Sequence, residues 1–505
     1  MDSTLSFTDR SSSRAAKITE SAGLRSTRSV SKSSLSTGIF LMPSNHWKHR
    51  TSHTREPRAA RKRQVLTRWF LWPTRVLTRH TLAYLLPDYQ NQRAEPCFEA
   101  TRRYVDDDVE SMTLSVSLQR IAILTTITRK IRQNSEVWIS KLERANSSGT
   151  PYLLVDGAKM KRNIRKMADV AEGSGVALRP HVKTHKIPGI AREQVGAAGV
   201  TVAKVSEAEV MADGGIEDIF IAYPLVTEVK IRQAMRLGER VRLVVGVDSI
   251  EGARRLSEVA EGHTLEVRLE VDTGLRRTGI PLDEAVGLAG EIKAMSNLDL
   301  TGIYTYRGAV LGGSKTLELE KAGLEEGQLM VSLVDMLRER GIRVEDVSVG
   351  STPTAEYVAK VEGVTEIRPG TYVFYDRMQA RLGACSLDEC AAVVVCTVVS
   401  RPTRDLAVID GGSKTFATDV GPGAEPLNLE GYGHVIGYPG AVLERLTEEH
   451  GMLSVNEDCD LEVGDTLQII PNHICSTVNL HDEVYLVGED GVVEETRVAA
   501  RGKVR

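Results

Sequence analysis

The nine residues "LRPHVKTHK" (178–186) crowd His181, Lys183, His185 and Lys186 directly after an apolar segment. A lysine among imidazoles and a second ammonium has bases and positive charge at hand, the surroundings that depress an amine's pKa and suit it to Schiff-base chemistry. The competing interpretation is a solvated, charged turn after a strand. A second stretch, "VGSTPTA" (349–355), follows Gly350 with Ser351, Thr352 and Thr354, so a tight turn offers backbone N–H groups and hydroxyls to an anion such as a phosphate. A third, "PNHICSTVN" (471–479), sets His473 and Cys475 two apart; on an extended strand both point to one face and Ile474 to the other. Imidazole plus thiolate is a zinc pair, and two ligands leave the ion open to water and substrate. The competing interpretation there is a buried cysteine beside a hydrogen-bonded histidine. "DGGSKT" (410–415) is only superficially a phosphate loop, because Ser413 stands where the glycine before the lysine belongs, and it reads as a β turn.

These groups need a scaffold. From about residue 150 strands and helices alternate. "PYLLVD" precedes an amphipathic run in which Met160, Ile164, Met167 and Ala171 share one face, with Lys161, Arg162, Arg165 and Lys166 largely on the other. Strands follow at "VALRPHV", "VTVAKV", "DIFIAYP", "VRLVVGV", "LEVRLEVD", "LTGIYTY" and "VEDVSVG", for eight in all. In "SEAEVMADGG", Ser206 and Glu209 have capping-box spacing and Gly214 can close the helix. Eight strand–helix repeats without a dinucleotide fingerprint predict a (β/α)8 TIM barrel over 149–383, an α/β fold with its chemistry at the strand C-terminal ends. On that count Lys183 ends the second strand and Gly350 the eighth, where barrels commonly hold phosphate. After Gly383 the helical period largely stops, and 384–505 reads as a C-terminal mostly-β domain.

The 505 residues are 41% hydrophobic and 26% charged with a formal net charge of −4, which excludes polyanion binding as a class. No apolar run reaches the roughly 20 residues that span a bilayer, and six cysteines without a disulfide-framework spacing fit a reducing, cytoplasmic compartment. Residues 1–105 carry 19 Lys+Arg against 7 Asp+Glu and show little periodicity. A disordered basic extension is expected over 1–111, with a helical lead-in over 112–148. Asp2, Asp9 and Glu20 weaken an organelle-targeting interpretation of that extension, and upstream sequence foreign to the natural protein, with an alternative start at Met112, is favoured.

"RPHVKTHK", "EVDTGLRRTG", "SVGSTPT", "RPGTYVFYD" and "PNHICSTVNL" together resemble the D-serine dehydratase and D-threonine aldolase family, fold-type III pyridoxal phosphate enzymes with an alanine-racemase-like barrel. The likeness runs in order from about residue 149 to the C-terminus. It implies that Lys183 forms the Schiff base with pyridoxal 5'-phosphate and that His181 lies against the cofactor. Gly350, Ser351 and Thr352 match the phosphate-side turn, Arg277 the barrel arginine, and Tyr306 a tyrosine near the cofactor. His473 and Cys475 match the zinc ligands of the dehydratases. One departure is "YRGAVL" (306–311), where many members have a His-containing segment, placed here on strand 7. The resemblance implies a zinc-dependent lyase of D-3-hydroxy amino acids, most simply D-serine dehydratase, and a homodimer. D-threonine aldolase, with manganese or magnesium on an oxygen ligand, is the alternative. A non-catalytic pyridoxal phosphate carrier would lack the β domain and its metal pair. No nucleic acid or membrane partner is expected.

Overall fold

The computed structural model describes residues 149–194, 196–260 and 262–505. The expected basic extension (1–111) and helical lead-in (112–148) lie outside them.

Strand β1 (Tyr152–Asp156) leads into helix α1 (Gly157–Ser174). The Asp156 carboxylate accepts the Lys159 N–H at 2.9 Å, and Gly175 closes the helix in the left-handed region at φ 69°. Met160, Ile164, Met167 and Ala171 are buried and the four basic residues exposed, as their spacing predicts. β1 itself is not a barrel strand. It pairs antiparallel with the C-terminal sheet on one side (Leu153 with Val394) and parallel on the other (Leu154 with Tyr485). A four-residue apolar run (152–155) buried on both faces suits the middle of any sheet, so its periodicity could not say which.

The barrel proper is made of β2 (Ala177–Leu178), β3 (Val200–Val202), β4 (Asp218–Ile221), β5 (Arg242–Val247), β6 (Leu265–Asp272), β7 (Leu298–Tyr304), β8 (Asp346–Val349) and β9 (Glu366–Ile367). They follow one another in parallel around the sheet, and bridges Leu178–Ala197 and His181–Thr201 join its ends into a ring. The strand count of eight is thus right for a different set. β9 lies in "TEIRPG", two residues too short and too charged to register as a strand, and every barrel position moves down by one. Lys183 follows the first barrel strand, Tyr306 the sixth and Gly350 the seventh.

Helix α2 (Val205–Asp213) begins without the expected capping box. Its N-cap is Lys204; the Ser206 hydroxyl donates to the Arg505 carbonyl at 2.8 Å, and Glu207, not Glu209, accepts the Ala203 N–H at 2.8 Å. Gly214 does cap its C-terminus, but Gly215 takes the left-handed conformation (φ 87°).

The second sheet contains β10 (Ala392–Thr403), β11 (Leu406–Ile409), β12 (Gly433–Val435), β13 (Val442–Leu446), β14 (Gly451–Ser454) and β15 (Thr466–Pro471), closed antiparallel from β15 and β11 back onto β10. β1 then β16 (Glu483–Val487) and β17 (Val493–Arg497) extend it beyond β10. The described cysteines are free thiols, and none of the described helices is long and apolar enough to cross a membrane.

The barrel interior is charged at its heart. Glu366 on β9 accepts from Arg179 Nε and Arg268 Nη1, both at 2.6 Å, and from Ser348 Oγ at 2.5 Å; Arg268 also reaches Asp346 at 2.7 Å, and Arg179 reaches Asp218. Burial alone would raise the Glu366 carboxyl, yet the two guanidiniums hold it at about 2. Removing that charge leaves each buried guanidinium with only its outer carboxylate, Asp218 for Arg179 and Asp346 for Arg268. Glu366→Gln is therefore expected to destabilise the fold by about 3–5 kcal/mol, read as a fall in the urea midpoint; an unchanged midpoint at neutral pH would show that the network is dispensable.

Candidate active site

Beyond β2 the chain passes His181 into a single 3-10 turn, Val182–Thr184, whose backbone puts Lys183 at the barrel rim. His181 Nδ1 accepts the Lys183 N–H at 3.5 Å. Burial pushes the His181 imidazole well below its usual range, and the neighbouring Lys183, Arg368 and Arg277 cations add to the push, so it is a neutral ring. His185 is different: it is fully buried, its Nδ1 accepts the Ile187 N–H at 3.1 Å, and it stands edge-on to Phe374 at 6.3 Å. Burial holds it at about 4, and it is a core residue. The opening cluster thus divides into rim groups (His181, Lys183, Lys186) and one packing histidine.

Across the ring, β8 ends at Val349, and Gly350, with its left-handed backbone (φ 81°), turns the chain into Ser351 and Thr352. Glu326, from helix α3 (Leu319–Glu339), accepts the Gly350 N–H at 3.3 Å and the Thr354 hydroxyl at 3.3 Å. Thr352 does not point outward as a free hydroxyl. Its Oγ1 accepts the N–H groups of Gly370 (3.2 Å) and Tyr372 (3.1 Å), tying the loop after β8 to the loop after β9. That second loop, Arg368–Thr371, is a part of the site that sequence reasoning passed over, although "RPGT" was in view. Arg368 is buried with Nη1 on Ser348 Oγ at 2.5 Å. A Cβ at Gly370 would sit 2.8 Å from the His181 carbonyl oxygen, so only glycine lets this loop lie against the lysine turn.

The His473–Cys475 pair departs from the strand expectation. β15 ends at Pro471, His473 is an extended N-cap residue, and Cys475 lies in the first turn of helix α4 (Ile474–Val478). The run of β-branched residues looks like a strand, but the Asp376 carboxylate, distant in sequence, accepts the Ile474 N–H at 3.0 Å and starts the helix. His473 and Cys475 still converge. His473 Nδ1 lies 2.6 Å from Asp419 Oδ2, and Cys475 Sγ is 3.1 Å from Thr184 Oγ1 and 3.3 Å from Thr371 Oγ1. Burial opposes a thiolate at Cys475, but the neighbouring His473 draws its pKa down, and His473 is raised in turn. Among the described residues no third acidic, His or Cys side chain completes a metal cluster.

His181, Lys183, Tyr306, Ser351, Thr352, His473 and Cys475 line one cavity of about 790 Å³ between the barrel rim and α4. Tyr306 lies just past β7, with Lys183 Nζ 5.1 Å and the Arg277 guanidinium 4.9 Å from its ring centre. Arg277 reaches the cavity through that ring and is not itself part of the wall. Lys186 of the opening cluster is also a wall residue, and Arg307, Arg368, Glu207 and Asp419 are wall residues that the spacing of residues did not signal. The arrangement joins a lysine amine, two apposed backbone loops and an imidazole–thiol pair in one chamber.

Residues 155–378 match the alanine racemase N-terminal domain family, and residues 391–487 the putative serine dehydratase domain family. The chain is 32% identical to the D-threonine aldolase of an Arthrobacter species over 70% of its own length and 93% of the relative's. It is 32% identical to the D-threo-3-hydroxyaspartate dehydratase of a Delftia species (68% and 96% covered) and 27% identical to the D-serine dehydratase of Dictyostelium discoideum (69% and 95%). The crystal structure of D-threonine aldolase from Filomicrobium marinum superposes with a TM-score of 0.63 at 31% identity, covering 71% of this chain and 97% of that one.

Glu326 generates a pH prediction. Burial raises its carboxyl to about 7, against the Gly350 N–H and the Arg368 and Arg307 cations that lower it. The folded chain then holds a proton that the unfolded chain releases near the ordinary carboxylate value, so stability falls as pH rises through that window, by up to about 3 kcal/mol. Glu326→Gln should flatten the dependence of unfolding free energy between pH 5 and 7.5; an unaltered slope would place the titration elsewhere.

Proposed function

The chain belongs to the D-serine dehydratase and D-threonine aldolase family of fold-type III pyridoxal phosphate lyases, and from that premise we propose that it dehydrates D-serine to pyruvate and ammonia. The observation that carries this choice is Cys475, a thiol drawn toward thiolate and set beside His473 in the chamber that holds Lys183.

The residues present suit pyridoxal 5'-phosphate. Gly370 approaches the lysine turn too closely for any side chain, and Gly350, Ser351 and Thr352 bend toward the same loop, which leaves a concave pair of backbone turns for the phosphate. When bound through Lys183, the cofactor supplies an electron sink for the bonds at the substrate's Cα. His473 and Cys475 suit zinc, because a thiolate with imidazole favours a soft, tetrahedral ion. Asp419 on His473 Nδ1 fixes the ring so that Nε2 is the free ligand atom. Zinc there would supply Lewis acidity toward the substrate's β-hydroxyl. A solved D-threo-3-hydroxyaspartate dehydratase structure is that of a cysteine-to-alanine variant in the metal-free form.

The chain's own part follows from this layout. Lys183 Nζ, displaced by the substrate's amine, takes the Cα proton; the β-hydroxyl leaves as water, and hydrolysis of the resulting enamine gives pyruvate and ammonia. Neutral His181 beneath the lysine adds no competing charge. The alternative, retro-aldol cleavage to glycine and an aldehyde, has in its favour the higher identity to the Arthrobacter aldolase than to the Dictyostelium dehydratase. A homodimer and a cytoplasmic setting are part of the proposal, the latter because Cys475 must stay reduced.

Incubation with D-serine and D-threonine should yield pyruvate and ammonia from the first as the faster reaction. Glycine and acetaldehyde as the sole products would decide for the aldolase. Lys183→Ala should lose cofactor absorbance and turnover; a borohydride-reducible adduct in that variant would refute the lysine. Chelation, and Cys475→Ala, should leave the protein folded with cofactor bound and abolish dehydration, whereas undiminished D-serine turnover without metal would remove zinc from the mechanism.

A further inference from the structure

Lys186 has no role in the chemistry above, yet its position is unusual. It is a non-glycine residue in the left-handed region (φ 56°), three places after Lys183, with only 9% of its surface exposed and its side chain on the cavity wall. Strained backbone of this kind costs on the order of 1 kcal/mol or more and persists where the surroundings impose it. Here they do: the Lys186 carbonyl accepts the Ala500 N–H at 3.1 Å, and its Nζ donates to Asn479 Oδ1 at 3.0 Å. Among the described residues it forms no ion pair. The nearest acid that affects it, Glu207, is fully buried and pushed toward its neutral form by burial, and it already accepts the Ala203 N–H. A largely buried ammonium whose partner is a neutral amide keeps N–H donors free, and burial lowers its pKa, so an arriving anion would relieve it.

The location names the anion. The phosphate turns lie after β8 and β9, whereas Lys186 faces Glu207 at the start of α2 and Asn479 at the end of α4. Asn479 follows Cys475 by four places, about one turn or ~6 Å along the helix axis. A 3-hydroxy amino acid presents an amine, a β-hydroxyl and a carboxylate. Lys183 accounts for the first and the His473–Cys475 pair for the second. Resting on that functional reading, we propose that Lys186 is the residue that binds the substrate's α-carboxylate, giving the site its third contact and with it the preference for amino acids over simple amino alcohols.

The test compares D-serine with ethanolamine, which lacks only the carboxylate, by titrating the cofactor absorbance of the pyridoxal phosphate-loaded full chain. Loss of a charge-assisted hydrogen bond should weaken D-serine uptake on the order of 30-fold in Lys186→Met, leave ethanolamine uptake within about threefold, and leave cofactor affinity and zinc content unchanged. Lys186→Asn is the companion variant, since asparagine tolerates the left-handed backbone and guards against simple misfolding; Lys186→Arg should recover part of the D-serine affinity. Equal losses for both ligands would mean a structural lysine, no loss for either would mean no contact, and a fall in cofactor affinity would assign the ammonium to the phosphate; each overturns the proposal. Because uptake is read from absorbance and not from product, a chain that takes up D-serine without turning it over would sink the dehydratase reading while the carboxylate contact stands.

Discussion

The pairing of β9 with β2 is the constraint on which the site rests. Each strand is two residues long, and their ladder consists of Glu366 opposite Ala177 and Ile367 opposite Leu178. So short a ladder offers little to hold register, yet the chain leaving β2 carries Lys183 and the chain leaving β9 carries Arg368 and Gly370. Register comes instead from side chains inside the barrel. Glu366 is gripped by Arg179 from β2's own extension and by Arg268 from β6, and Ser348 on β8 adds a third donor. A slip of one residue would turn the carboxylate out of the barrel and leave Arg179 and Arg268 with only Asp218 and Asp346 as anions, an error costing several kcal/mol. The ion cluster therefore acts less as glue than as a selector among registers.

The same loops then organise the other half of the chamber. Thr352 clamps the β9 loop through two N–H groups, and that loop in turn offers Thr371 Oγ1 to Cys475, while Thr184 from the lysine turn meets the same sulfur. Two hydroxyls on one thiol place α4 against both barrel loops at once. Asp376, a few residues beyond Thr371, starts α4 by accepting the Ile474 N–H. The His473–Cys475 pair is consequently positioned by the same segment that follows β9, and β1, inserted between β10 and β16, holds the start of the barrel chain in the second sheet. Neither half of the site has an independent support.

This explains which parts were legible in the sequence. Lys183, Gly350, His473 and Cys475 stand out because their residue types carry chemistry within short local patterns, and the barrel stands out because its long strands β5, β6 and β7 carry apolar residues, in β6 at every second position. What the sequence concealed depends on partners far along the chain. β9 is a strand only because β8 and β2 flank it; β1 looks like a barrel strand because its burial on both faces suits either sheet. The helix at Cys475 exists because of an acid 98 positions upstream. Arg368, Glu207 and Asp419 are ordinary charged residues until the fold aims them inward.

Dehydration and retro-aldol cleavage begin from the same bound substrate and diverge on which atom loses a proton first. For dehydration the base must face Cα, and Lys183, released at the rim beside neutral His181, is the amine in that position. For cleavage the base must face the β-hydroxyl, and on that side the chamber presents Cys475 and His473, with Asp419 already committed to His473 Nδ1 and the Ser476 hydroxyl. Lys183 at Cα suits loss of the hydroxyl, whereas cleavage of the Cα–Cβ bond would draw its base from the His473 and Asp419 side of the chamber.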